Sequence, residues 1–153
     1  MTSAICNSYK QEILQGVHEA ADVYKFVLIK STGTGTYNKN STNAGSPGSG
    51  PPSTSNVGTD EVATSGTYTA GGTTLSGFSV TLQGDTAVLD FTAPAAFTGA
   101  TISADGLVIY NSTQGNKMVA VYAFSGGPIV STNGTFTISM PAVGASTSLI
   151  RIA

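Results

Sequence analysis

Six short runs between Thr67 and Ile152 read as β-strands, and a chain punctuated in this way has few folds open to it. They are Gly77–Gln83, Thr86–Phe91, Ala100–Ala104, Leu107–Asn111, Lys117–Phe124 and Thr135–Met140. In the first, Phe78, Val80 and Leu82 alternate with Ser79, Thr81 and Gln83, so one face is apolar and the other polar. Ala87, Leu89 and Phe91 do the same around Val88 and Asp90. Gly84-Asp85 between these two runs signals a hairpin, and Gly126-Gly127-Pro128 and Asn133-Gly134 punctuate the later ones. A further aromatic and β-branched run, Val23–Lys30, also suits a strand. Short strands at this spacing predict an all-β fold, an antiparallel β-sandwich or jelly roll, as one domain over residues 1–153.

Two segments depart from that pattern. Residues 1–22 predict a short helix, with Ser8 as its cap, Gln11 completing a capping box, and Ile13, Leu14 and Val17 on one face. Gly16 shortens or ends it, and a helix this short needs to dock on the sheet or on a neighbouring subunit. Residues 31–56 turn to Gly, Ser, Thr, Asn and Pro, with Tyr37 the only large anchor. Little apolar area is set there against the entropy of ordering, which predicts a flexible polar loop or an extended arm ahead of the main β-body, residues 57–153.

Chemistry is scarce. Charged residues make up 9% of the chain against the roughly 25% usual for a soluble domain, so much of the surface is expected to be covered by copies of the chain or by a partner. The six cations, Lys10, Lys25, Lys30, Lys39, Lys117 and Arg151, are scattered, which argues against nucleic acid and against a polybasic membrane contact. Met1–Gln15 has neither the basic start nor the apolar run of a secretory signal, so a soluble protein made in the cytoplasm is expected. Cys6 stands alone and reads as a buried thiol rather than a nucleophile. His18, the only histidine, has just Glu19 and Asp22 beside it and reads as a packing residue near a helix end. No G-x-S-x-G elbow, complete G-x-G-x-x-G or phosphate loop occurs. Asp85 and Asp105 adjoin glycines and read as turn residues. No catalytic, cofactor-binding or metal-binding residue is therefore assigned. Tyr68, Tyr110, Tyr122, Phe124 and Phe136 are expected to pack between sheets, although exposed rings would suit a glycan.

Five segments together carry a resemblance: Ile5–Glu12 (ICNSYKQE), Gly66–Gly72 (GTYTAGG), Ala87–Phe91 (AVLDF), Ala104–Asn111 (ADGLVIYN) and Asn133–Thr137 (NGTFT). They resemble a family of small structural proteins of tailed bacteriophages, over nearly the whole chain except Thr32–Val57. The resemblance implies a non-enzymatic virion component, with a capsid cement or decoration protein on the head exterior the preferred role. It would contact the major capsid protein and form a homo-oligomer, with a trimer favoured. Ile13, Leu14, Val17, Tyr37, Tyr68, Tyr110 and Tyr122 are the expected partner contacts. The alternative is a head-fibre, tail or adhesin module that binds a host-surface glycan.

Overall fold

The longest strand decides the layout. In the computed structural model, which describes all residues Met1–Ala153, the elements run β1 Ala4–Ile5, α1 Asn7–Leu14, β2 Tyr24–Lys30, β3 Thr73–Thr74, β4 Ser76–Gln83, β5 Thr86–Thr92, β6 Phe97–Asn111, β7 Lys117–Ala123, β8 Ile129–Phe136 and β9 Ile150–Ile152. β6 is 15 residues long and pairs antiparallel with three strands. β2 lies along its C-terminal half, from Lys30↔Ala104 to Tyr24↔Asn111. β7 lies along its other side, from Gly106↔Ala123 to Asn111↔Lys117, and β8 pairs with its N-terminal half, from Ala104↔Ile129 to Phe97↔Phe136. The short strands β1 and β3 extend this sheet beyond β7 and β2. β5 is the centre of a second antiparallel sheet, ordered β4-β5-β9. The expected all-β, sandwich-like fold with a short N-terminal helix is what the chain adopts.

Aromatic side chains join the two sheets. Tyr24 of β2 stacks on Phe78 of β4 at 5.2 Å between ring centroids and meets Phe91 of β5 at 5.4 Å. Farther along, Phe97 packs edge-on against Tyr68 at 5.1 Å and also meets Phe26. Leu28 and Ile109 share the Tyr24 and Phe26 face of the large sheet, and Val27, Val108 and Val121 are buried on its other face. Burying a side chain of this kind contributes about 1.5–3 kcal/mol.

Several boundaries differ from the sequence reading. Ala100–Ala104 and Leu107–Asn111 belong to one strand, with Asp105-Gly106 inside it rather than at a turn. Gly106 is there for space: a Cβ at that position would stand 2.1 Å from the Tyr122 carbonyl and 3.0 Å from Ala123 Cα. The last predicted strand, Thr135–Met140, lies earlier, at Ile129–Phe136. β6 needs a partner along residues 97–104, and the chain supplies it directly after Gly126-Gly127. Asn133-Gly134 then falls within a strand, with Asn133 at φ 46° where the β6–β8 register shifts. The helix begins at Asn7 with Cys6 as its cap residue, so Ser8 does not cap it. The entering backbone N–H groups are satisfied elsewhere, Cys6 donating to Val119 O at 3.0 Å and Asn7 to Lys39 O at 2.8 Å. Gly16, at φ 70°, follows the helix end and puts Val17 off its face.

Residues 31–56 form no extended arm. The segment folds back on the body through its own small polar side chains. Asn56 accepts from the Ser46 and Gly58 N–H groups and donates to the Ser49 and Pro51 carbonyls. Thr42 N–H donates to Thr54 O, and Val57 N–H to Ala44 O. Asp60 accepts from Thr34 N–H at 3.1 Å and Gly35 N–H at 2.7 Å, while its Oδ2 lies 2.9 Å from the Tyr37 hydroxyl. The segment is a polar loop rather than an arm, because Asn and Asp side chains hold it by bonding its backbone.

Two outcomes follow from this packing. Gly106→Ala will lower the denaturant midpoint by the equivalent of about 1–3 kcal/mol, the usual cost of overpacking a tight backbone approach. Asp60→Ala will leave the Thr34 and Gly35 N–H groups without their acceptor and the Tyr37 hydroxyl with the Val57 carbonyl alone, so limited proteolysis within residues 31–37 will be faster than in the wild type.

Candidate interaction surface

The side chains with the most chemistry are bound to one another. His18 places Nε2 2.9 Å from Glu12 Oε2 and Nδ1 3.0 Å from Asn111 Nδ2. Asn111 also donates to Asp22 Oδ2 at 2.7 Å and accepts from Gln114 N–H, which orients its amide. Its NH₂ group therefore faces His18, so Nδ1 is the acceptor and Nε2–H donates to Glu12. Lys117 adds its Nζ 2.6 Å from Glu12 Oε1. With Tyr9 packed against the imidazole at 4.6 Å and the His18 side chain only 1% exposed, neither ring nitrogen is open to a substrate or an ion. The cluster ties the end of α1 to the β6–β7 turn. Sequence reasoning looked for an orienting carboxylate at Glu19 or Asp22 and missed Glu12. Asn111 lies 93 positions from His18, and no sequence signal joins them.

Several other buried ionisable groups also serve the framework. Burial opposes ionisation of Glu12, yet hydrogen bonds from Lys117 and His18 and the charge of Lys117 outweigh it and hold the carboxyl below its ordinary range. Burial pushes Glu61 the other way, against hydrogen bonds from Gly71 and Tyr68 that favour its ionised form. Cys6 is buried, and desolvation pushes its thiol up to about 12. Asp90 accepts from Leu149 N–H at 2.8 Å and so holds the C-terminal segment on β5. No three His, Cys, Asp or Glu side chains gather around a point where an ion could sit.

Three of the four tyrosines expected to meet a partner are interior. Tyr37, Tyr68 and Tyr110 are buried, with their hydroxyls directed to Asp60, Glu61 and the Gly71 carbonyl. Each ring gains a large apolar burial once its hydroxyl has an internal partner, which removes the reason to face solvent. Tyr122 is half-buried and donates to the Leu149 carbonyl. Val17 is half-buried beyond the helix.

An exposed apolar groove lies elsewhere, between α1 and the small sheet, apart from single exposed side chains such as Val130 and Val143. Ile13 and Leu14 form one wall of a groove, and Ile150 and Ile152 form the other, with Tyr9 between them. Val80, Ala87 and Leu89 continue the lining along β4 and β5. Leu14 is 90% exposed, Leu82 70%, Val80 59% and Ile152 53%. Lys10 and Arg151 stand at the rim, and neither is in an ion pair. Of the expected contacts, Leu14 is exposed and Ile13 half-buried, and both line this groove. Alternation marked β4 as having an apolar face, but nothing local showed that the distal half of this face lacks a cover. No protein-family model, curated protein or solved structure matches the chain.

The Glu12 cluster has a defined pH signature. Because the folded carboxyl is held below its unfolded value, its stabilisation is present at neutral pH and lost as pH falls through the carboxylate range. An amide can accept only one of the two bonds, so Glu12→Gln will cost about 1–3 kcal/mol at neutral pH. Denaturant melts across pH will show the gap from wild type closing on acidification.

Proposed function

We propose that this protein is a non-enzymatic structural component of a bacteriophage virion, a cement protein that holds the head exterior together by binding the major capsid protein. The observation that carries this reading is the uncovered apolar groove between α1 and the small sheet, on a chain whose chemistry-bearing side chains are committed to its own framework. A cement needs a rigid body and a surface that gains energy from being covered. Apolar burial supplies about 25 cal/mol per Å² before the costs of association. A capsid repeats its binding site many times, so modest contacts add up. With 9% charged residues, little repulsion opposes close packing against a partner or another copy. The resemblance to small structural proteins of tailed phages supplies the virion context.

A glycan-binding head-fibre, tail or adhesin module is the weaker reading. It calls for rings presented to solvent, and Tyr37, Tyr68 and Tyr110 are buried.

The test is location and its loss. Cryo-electron microscopy of intact particles will place density for this chain at a defined position on the head exterior. The double variant Leu14→Asp, Ile152→Asp will keep the wild-type melting temperature, because both side chains are already exposed, and will fail to co-sediment with heads stripped of the protein. Undiminished co-sedimentation of that variant removes the groove as the docking site, and absence of the chain from particles removes the cement role.

A further inference from the structure

β4 offers the longest regular run on a free strand edge, the five residues Ser79–Gln83. It spans eight residues, pairs only with β5, and is almost wholly exposed. No turn or loop of the chain hydrogen-bonds to its backbone. β4 itself carries one register shift, at Gly77 with φ 67°, which leaves Ser79–Gln83 regular, and the other free edges are blunted further. β1 and β3 are two residues long, β9 is three residues long and carries Arg151, and β8 is interrupted by register shifts and by Asn133 at φ 46°. Between Ser76 and Gly84 there is neither a charge nor a proline, the usual means of keeping an edge from adding another strand.

The backbone of that edge is set up for pairing. Gly84-Asp85 closes a two-residue hairpin between Gln83 and Thr86, whose backbones face each other. Alternation along the ladder then turns the N–H and C=O groups of Leu82 and Val80 away from β5, toward the open edge. The register with β5 is continuous only from Ser79 to Gln83, and its midpoint is Thr81.

We propose that two copies of this chain join edge to edge through β4, antiparallel about a two-fold axis at Thr81, making one six-stranded sheet from two small ones. The occupant is a second copy because this strand complements itself. In that register Val80 faces Leu82 of the second copy, Ser79 faces Gln83, and Thr81 faces Thr81, so apolar meets apolar and hydroxyl meets hydroxyl. A two-fold axis sets residues near it against their own kind, so a charge at its centre would repel its own copy; β4 has none. The first charge beyond it, Asp85, falls opposite Gly77 of the second copy rather than another acid. Isologous pairing closes at two copies, where the sequence reading favoured three. A seam of one short strand run a side, Ser79–Gln83, is small beside the roughly 1,200–2,000 Å² of a stable interface, so the dimer is concentration-dependent in solution. Purified protein tests this seam without a capsid, so it and the cement role can fail separately.

Two variants at Thr81 decide it. Sedimentation equilibrium of the wild type will show a mass rising with concentration from 15.4 kDa toward twice that value. Thr81→Lys will weaken the dimer roughly fivefold or more, since like charges then sit opposite each other. Thr81→Cys will form an intermolecular disulfide under mild oxidation far faster than Thr137→Cys, an exposed control on another part of the surface. The native thiol, Cys6, is buried and does not interfere. A wild type that stays monomeric at millimolar concentration, an oligomer that Thr81→Lys leaves intact, or equal crosslinking of the two cysteine variants overturns the proposal.

Discussion

The pairing of β6 with β2, β7 and β8 is the constraint on which the rest of the structure depends. A strand of 15 residues exposes more backbone than one neighbour can satisfy, and here β2 takes one side while β7 and β8 share the other. Gly106 marks the handover. There the β7 backbone comes so close that no side chain fits, and from that point to Asn111 every β6 residue is buried. The small sheet, the helix and the folded-back loop are all positioned by what they cover around this ladder.

Hydrophobic burial sets the layers, but buried polar groups fix the parts that burial leaves loose. Asp60 and Asn56 organise a loop with almost no apolar content, each by bonding backbone groups that would otherwise need water. Glu12, His18, Asn111 and Lys117 do the same for the helix end. In both places charge is spent inside the framework, which leaves still less of it on a surface that had little from the start.

That distribution unites the two proposed contacts. The groove beside α1 and the open edge of β4 belong to the same small sheet: the first presents side chains from its face, the second backbone from its edge. Val80 and Leu82 take part in both, since their side chains continue the apolar face while their backbone groups point to the edge. A partner on the face and a copy at the edge are therefore compatible, and both would be covered together in an assembly.

Strand identity and inward faces were legible in the sequence because alternation is a local property, readable over five or six residues. Thus β2, β4, β5 and β7 begin and end within a residue or two of their predicted limits. Asp105-Gly106 and Asn133-Gly134 misled because a glycine that allows a close approach or a bulge looks, in one dimension, like a glycine that makes a turn. Interior packing of Tyr68 and Tyr110 was expected from the sequence, whereas burial of Tyr37 in the polar loop depends on its distant hydroxyl partner Asp60. By itself the sequence determined an all-β chain, one short helix and a surface poor in charge. Tertiary structure alone decided that residues 31–56 are folded, that His18 is bound on both sides, and that β4 is left free. Each of those depends on partners many residues away, and hydrogen bonds at that separation leave no periodicity to read.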